Sequence, residues 1–455
     1  MPASGPDLRL SEVVAALSYA LDVTDGNDPG HAIRSCVIGM RLADEIGLQV
    51  HARSALFYGL LLKDAGCSSN AAKVSALYAA DDHTLKRNVK TVDHKRPRDA
   101  LRYVWANVGG GGAVRVRNAV SVALRGPAIA REMTAIRCER GADIARMLDL
   151  PEQTADAIRS LDEHWDGRGH PAGLTGDAIP LLGRILGLAQ VVEVFSTAHG
   201  RERALAVAQE RSGTWFDPDL VTALGRIGAD VGFWESLGGP DLGRFVAGLE
   251  PADVVISADE AKLDRVAEAF ALVIDAKSPF TFRHSERVAH FAVGAGRELG
   301  FDADAIRDLR RAGLLHDIGK LAVSNRILDK AGPLDDAERA VVQKHPALTA
   351  EILGRIPHLS ELAHVAAAHH EKLDGSGYHR GLRGDELAMP ERVLAVADIY
   401  EALTAQRPYR DLLSRAAALE IIRSDVGQRL CPDAFAALEA STQAPANSIG
   451  APLAA

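Results

Sequence analysis

Cysteine is scarce. The 455 residues hold four, Cys36, Cys67, Cys138 and Cys431, and no two of them form a C-x-x-C pair. That excludes a disulfide framework and a thiolate zinc site, and it points to a reducing compartment. No apolar run reaches the roughly 18 residues of a membrane-spanning helix. The N-terminus has neither the basic nor the apolar region of a signal peptide, so a cytoplasmic protein with no membrane partner is expected. Positive charge is not in excess either. A net charge of −9 excludes a general nucleic-acid coat, and no nucleic-acid partner is expected. Convincing period-2 alternation is absent, which argues against a sheet.

What is present is a globular, helical chain. At 47% hydrophobic and 25% charged it is too apolar to be disordered, and its length allows roughly two to four domains. Leu263, Val266, Phe270 and Ile274 fall three or four apart, as do Val288, Ala292, Ala295 and Leu299. This is helical spacing, and with abundant alanine it predicts an all-α protein of bundled helices. The Gly238-Gly239-Pro240 stretch, continuing to Pro251, reads as a linker. The tail after Ala440, rich in Ala, Ser, Pro and Gln, reads as disordered.

The chain repeats itself. Leu10, Val13, Leu17 and Leu21 align with Leu263, Val266, Phe270 and Ile274, and at the same spacing His31 meets His284 and Lys63-Asp64 meets His316-Asp317. Further on, Asp166-Gly167-Arg168-Gly169 answers Asp374-Gly375-Ser376-Gly377, and Phe216-Asp217-Pro218-Asp219 answers Leu430-Cys431-Pro432-Asp433. A repeat this long describes two whole domains, since solenoid units run to only about 20–50 residues. The expected domains are a first copy over 10–228 with an insertion at 68–130, a linker over 229–258, a second copy over 259–440, and disordered ends at 1–9 and 441–455.

The second copy holds the chemically informative set: His284, His316-Asp317, His345, His369-His370 and Asp398. Imidazoles and carboxylates spread over a bundle can converge on its axis, as metal sites in helical bundles do. A mixed nitrogen and oxygen set without sulfur suits Fe, Mn, Zn, Co or Ni better than Ca or Mg. Lys86, Arg87, Lys90, Lys95, Arg96 and Arg98 in the insertion read as a solvated basic face, and Gly109 to Gly112 as a mobile loop.

His316-Asp317-Ile318-Gly319-Lys320 and His345-Pro346 are followed by His369-His370-Glu371, Asp374 to Tyr378, Ala397 to Leu403, and Arg407-Pro408-Tyr409-Arg410. In these ordered motifs residues 259–440 resemble an HD-GYP domain, the bacterial branch of the HD phosphohydrolases that hydrolyses cyclic di-GMP. The resemblance implies two HD-type helical bundles in tandem, with two divalent ions, Fe or Mn, in the second. It implies His284, His316, Asp317, His345, His369, His370 and Asp398 as ligands, with Asp317 bridging. It further places Lys320 near the scissile phosphate and Tyr378, Arg407 and Arg410 against the ligand. Two positions depart from the family pattern. The signature Gly-Tyr-Pro reads Gly377-Tyr378-His379, which bears on substrate preference, and Phe280 stands where some relatives carry the Glu of a third metal.

In the first copy the matching positions read His31, Lys63, Asp64, Cys138, Leu161, Asp162 and Gln190, with Cys67 in place of the lysine. This predicts a copy whose fold has outlived its site. The resulting expectation is a metal-dependent phosphodiesterase acting on a cyclic dinucleotide, cyclic di-GMP foremost, with a non-catalytic N-terminal copy as regulatory or structural partner. A homodimer or a signalling protein engaging that copy is the expected partner class. The alternatives are an HD hydrolase of another nucleotide phosphoester and a nucleotide-sensing module without turnover.

Overall fold

The structure, a computed structural model, describes residues 8–89, 92, 97–239, 242, 246, 248–405 and 412–443. Among these residues the secondary structure is helical, with extended pairing limited to isolated bridges such as Asp374 with Arg383. The all-α expectation holds. The chain forms two compact units. The first comprises Met1–Ala269 with Ala276–Ser278 and Leu321–Lys330, and the second Phe270–Asp275, Pro279–Lys320 and Ala331–Ala455.

In the second unit, the helix His284–Glu298 buries Val288, Ala289, Ala292 and Ala295 along one face. It packs on Ala303–Leu315 and Met389–Thr404, which bury Leu309, Ala312, Val393, Val396 and Ala397. Asp302 starts Ala303–Leu315 by accepting the Ala305 N–H at 2.8 Å, a side-chain N-cap. Gly313 is where this helix crosses His284–Glu298, since a Cβ there would lie 2.7 Å from Ala289 Cα. The crossing brings the start of one helix and the end of the other together, and His284 and His316 sit at those two ends.

The first unit repeats the arrangement with His31–Glu45, Val50–Leu62, Glu152–Ser160 and Leu181–His199. Leu181–His199 has the length and apolarity of a membrane span. It nevertheless buries Ile185, Leu186, Ala189 and Val192, and carries the buried, ion-paired Glu193. Those contacts mark it as a core helix.

Several expectations are revised here. The stretch read as a linker contains the helix Val231–Ser236, while Glu250 is buried and accepts from Ser11 Oγ at 2.7 Å and Tyr58 Oη at 2.6 Å. Pro240 lies outside the described residues. Of the end read as disordered, Leu8 is buried, its carbonyl accepts the Ala258 N–H at 2.7 Å, and Arg9 bridges Ser257. Ser441 closes the helix Pro432–Ser441; residues 1–7 and 444–455 lie outside the description. Gly109 is tied down by donating to the Tyr78 carbonyl at 2.8 Å, and Gly112 begins the long helix Gly112–Met147. Lys86 is buried, its ammonium donating to the Cys67 and Thr24 carbonyls at 3.0 and 3.2 Å. Its helix turns it inward beside Leu85, so it satisfies carbonyls where a solvated face was expected. Lys90, Lys95 and Arg96 lie outside the described residues.

Candidate metal centre

The ends of the second unit's helices deliver the histidines. His284 opens His284–Glu298, His316 follows Ala303–Leu315, His345 opens His345–Gly354 with Pro346 in its first turn, and His369-His370 follow Ser360–Ala367. Asp398 lies within Met389–Thr404. All are buried except His370, which is partly so.

Three rings are aimed in one way. His316, His345 and His369 each direct Nδ1 at the carbonyl three residues back, on Gly313, Val342 and Ala366, at 2.8, 2.7 and 2.6 Å. Donating Nδ1–H fixes the tautomer and leaves Nε2 as a lone pair. His284 is held differently, by the Glu401 carboxylate on its Nδ1, and Arg287 Nε donates to the other Glu401 oxygen at 2.7 Å. Carboxylate-held imidazoles of this kind are characteristic of metal ligands.

The lone pairs converge in two clusters, His284 with His316 and Asp398, and His345 with His369 and His370. Asp317 stands between them. Its Oδ2 lies 3.4 Å from both His284 and His316 Nε2, and its Oδ1 lies 3.4 and 3.6 Å from His345 and His369 Nε2. Each oxygen therefore faces one cluster.

The donor set fits a cation. His345 and His369 point Nε2 at Nε2 across 3.0 Å, and two lone pairs face each other this closely only with a positive charge between or beside them. His316 Nε2 and Asp317 Oδ1 are buried without a hydrogen-bond partner, an arrangement proteins rarely tolerate. The protonation states also suit ligation. Burial, then His370, holds His369 well below its ordinary value, and burial lowers His370 to about 3. Burial works against charge on Asp317, yet His316 and Lys320 keep it well below the usual carboxylate range. His284 is the exception: against its burial, bonds to Asp317 and Glu401 raise it to about 10, so a cation would displace its proton.

Lys320 lies on the turn Ile318–Ala322, its Nζ 2.5 Å from Asp317 Oδ2. The half-buried Tyr378 packs its ring on His370 with centroids 4.8 Å apart, and His379 beside it is exposed. Arg407 and Arg410 lie outside the described residues.

The residues missed in the sequence are the holders. Besides Glu401 and Arg287, buried Glu371 accepts the Arg380 and Leu382 N–H groups at 2.7 and 3.0 Å and so shapes the loop that carries Tyr378. The repeat contains the signal that finds them. In the first copy His31 is held by Glu193, Arg34 donates to Glu193 at 2.6 Å, and Glu163 accepts from Ala172 and Leu174 at 2.6 and 3.0 Å. Holders survive there where most of the matching histidines do not. Lys63, wholly buried at the position matching His316, pairs its ammonium with Asp64. Asp25, Asp64 and Cys67 come within reach of one another, and burial pushes the Cys67 thiol far above its ordinary value. A protein cation already neutralises Asp64.

An all-α bundle with a buried carboxylate between two nitrogen-rich clusters is an arrangement suited to a metal-dependent hydrolase. The comparisons with known proteins agree. The HD domain profile matches residues 129–220 and 268–433, a segment in each copy. A 3'3'-cGAMP-specific phosphodiesterase 3 of Vibrio cholerae is 45% identical over 433 residues, covering 94% of both chains. A cyclic di-GMP phosphodiesterase of Thermotoga maritima is 34% identical over 182 residues, covering 39% of this chain and 50% of its own. A crystal structure of a cyclic GMP-AMP specific phosphodiesterase of V. cholerae superposes with a TM-score of 0.66 at 39% identity, covering 96% of this chain and 98% of that one. The chain belongs to the HD domain family, and it is a metal-dependent phosphodiesterase of the HD-GYP type.

Proposed function

We propose that the second copy hydrolyses 3'3'-cGAMP, a revision of the cyclic di-GMP expectation, and that the first copy is a non-catalytic partner. The observation that carries the substrate reading is the extent of the match. The 3'3'-cGAMP-specific relative shares 94% of both chains, tandem copies included, whereas the cyclic di-GMP relative of T. maritima covers 39% of this chain. His379 in place of the signature proline, exposed beside Tyr378, is consistent with an altered base preference.

In this reading His284, His316 and Asp398 would hold one cation and His345, His369 and His370 a second, with the Asp317 carboxylate offering an oxygen to each. When bound, Fe or Mn ions supply Lewis-acid charge and acidify water at neutral pH. The chain's own residues do the rest. Lys320 adds fixed positive charge toward the phosphoryl oxygens, Tyr378 offers a face to a base, and Arg407 and Arg410 carry forked donors suited to the second phosphate. The first copy, with Lys63 neutralising Asp64, contributes no chemistry.

Turnover of 3'3'-cGAMP, cyclic di-GMP and cyclic di-AMP by Mn- and Fe-loaded protein tests this. The expected result is a kcat/KM for 3'3'-cGAMP at least about tenfold above the others, a difference of roughly 1.4 kcal/mol. Equal or faster cleavage of cyclic di-GMP would reject the substrate reading.

A further inference from the structure

The chain leaving Lys320 does not stay in the second unit. Residues Leu321–Lys330 belong to the first unit, as do Ala276–Ser278, the segment that precedes the His284 helix. Within that unit both segments meet one side chain, Asp82, on the first turn of the insertion helix Asp82–Val89. Asp82 is fully buried. Its Oδ1 accepts the Asn325 N–H at 2.8 Å and the Ser324 hydroxyl at 3.1 Å, and its Oδ2 accepts from the Lys277 ammonium at 3.0 Å. Lys277, Ser278, Ser324 and Asn325 are buried as well, and Asp329 is partly so. Asn325 Nδ2 donates to the Lys277 carbonyl at 2.7 Å and to Asp329 at 2.6 Å, and Ser278 Oγ donates to Asp329 at 2.6 Å. Asp82 also sits at the start of the helix Asn325–Leu328, where it joins Ser324 in satisfying the first-turn donors.

We infer that Asp82 is a positioning residue for hydrolysis at the second copy, acting through Lys320. Lys320 lies on the short turn Ile318–Ala322, whose backbone runs directly into the clasped segment. A turn of this length has few internal bonds, so its place depends on where its ends are fixed. His284, His316, His345 and His369, by contrast, sit at the ends of packed helices and take their aim from a carbonyl three residues back or from Glu401. Loosening the clasp therefore bears first on the lysine, and these four histidines keep their own anchors. The inference rests on the proposed role of Lys320 and extends it to a residue of the non-catalytic copy.

The test is a double-mutant cycle on the full chain: Asp82→Ala, Lys320→Ala and both together, with metal content measured for each. Cleavage of bis(p-nitrophenyl) phosphate is followed alongside 3'3'-cGAMP, so that a wrong natural substrate does not obscure the result. Asp82→Ala should keep its metal and lower kcat about 5- to 20-fold, within the range of coupling between sites. The double variant should be no slower than Lys320→Ala alone. Asp82→Asn retains an acceptor for the Asn325 N–H and should recover most of the rate, and Ser324→Ala serves as a milder variant if Asp82→Ala does not fold. Losses that multiply in the double variant, or an unchanged kcat in folded Asp82→Ala and Ser324→Ala, overturn the inference. An inactive wild type on both substrates would instead reject the hydrolase reading, and an active Lys320→Ala the role of the lysine.

Discussion

At the residue scale, the two charged groups at the centre have separable tasks. Asp317 faces both clusters, one oxygen to each, so Asp317→Ala should abolish turnover and lower metal content together. Lys320 touches Asp317 but belongs to neither cluster. Its replacement by Ala should leave metal content intact and cost about 10²–10³ in kcat, the usual scale for a removed electrostatic group. Metal analysis beside steady-state kinetics separates the two, and a lysine variant that loses its metal would reverse the division. In the first copy, burial raises Asp22 to about 7 from an ordinary 3.8, against the lowering by Lys63 and by the Ala32 N–H. Its folded-state value therefore lies above its unfolded one. The proton it binds stabilises the fold fully below pH 3.8, and that contribution is lost as pH rises to about 7. Tm measured from pH 4 to 8 should fall more steeply for the wild type than for Asp22→Asn, and parallel curves would show that Asp22 does not titrate in this range. The side chains that converge on the two clusters were readable in the sequence because ligation demands particular residue types. The roles of Glu401, Arg287 and Glu371 were not, because a holder is defined by the ring or loop it orients; the repeat, with His31, Arg34 and Glu193 in the same relation, shows the arrangement twice.

At the scale of elements, the aim of the site comes from helix ends meeting helix ends. Gly319 shows how tight this is. A Cβ there would lie 2.0 Å from the His345 carbonyl, and Gly66 meets the Arg137 carbonyl in the same way in the first copy. Gly319→Ala must push the lysine-bearing turn away from the helix that starts at His345. The expected cost is about 1–3 kcal/mol of stability, the scale of overpacking, with reduced metal content, measured by thermal unfolding and elemental analysis. An alanine variant with wild-type Tm and metal would show that the turn has slack. Apolar spacing identified the helices, including His284–Glu298 and Glu260–Asp275, since each buries one face at helical period. It misjudged the segments between them. Lys86 looked solvated and Glu250 lay in an apparent linker, yet both are buried in polar networks, and partners distant in sequence leave no local pattern.

At the scale of the whole molecule, the duplication has produced two bundles with different ways of balancing the same buried carboxylate. The second surrounds Asp317 with histidine lone pairs, and the first pairs Asp64 with Lys63. Metal should therefore belong to one copy alone. The direct test is elemental analysis of anaerobically purified full-length protein, comparing the wild type with Asp317→Asn and Asp64→Asn. The account predicts two ions per chain in the wild type, two in Asp64→Asn, and a clear loss in Asp317→Asn. Metal that disappears with Asp64→Asn and persists at two ions in Asp317→Asn would contradict it.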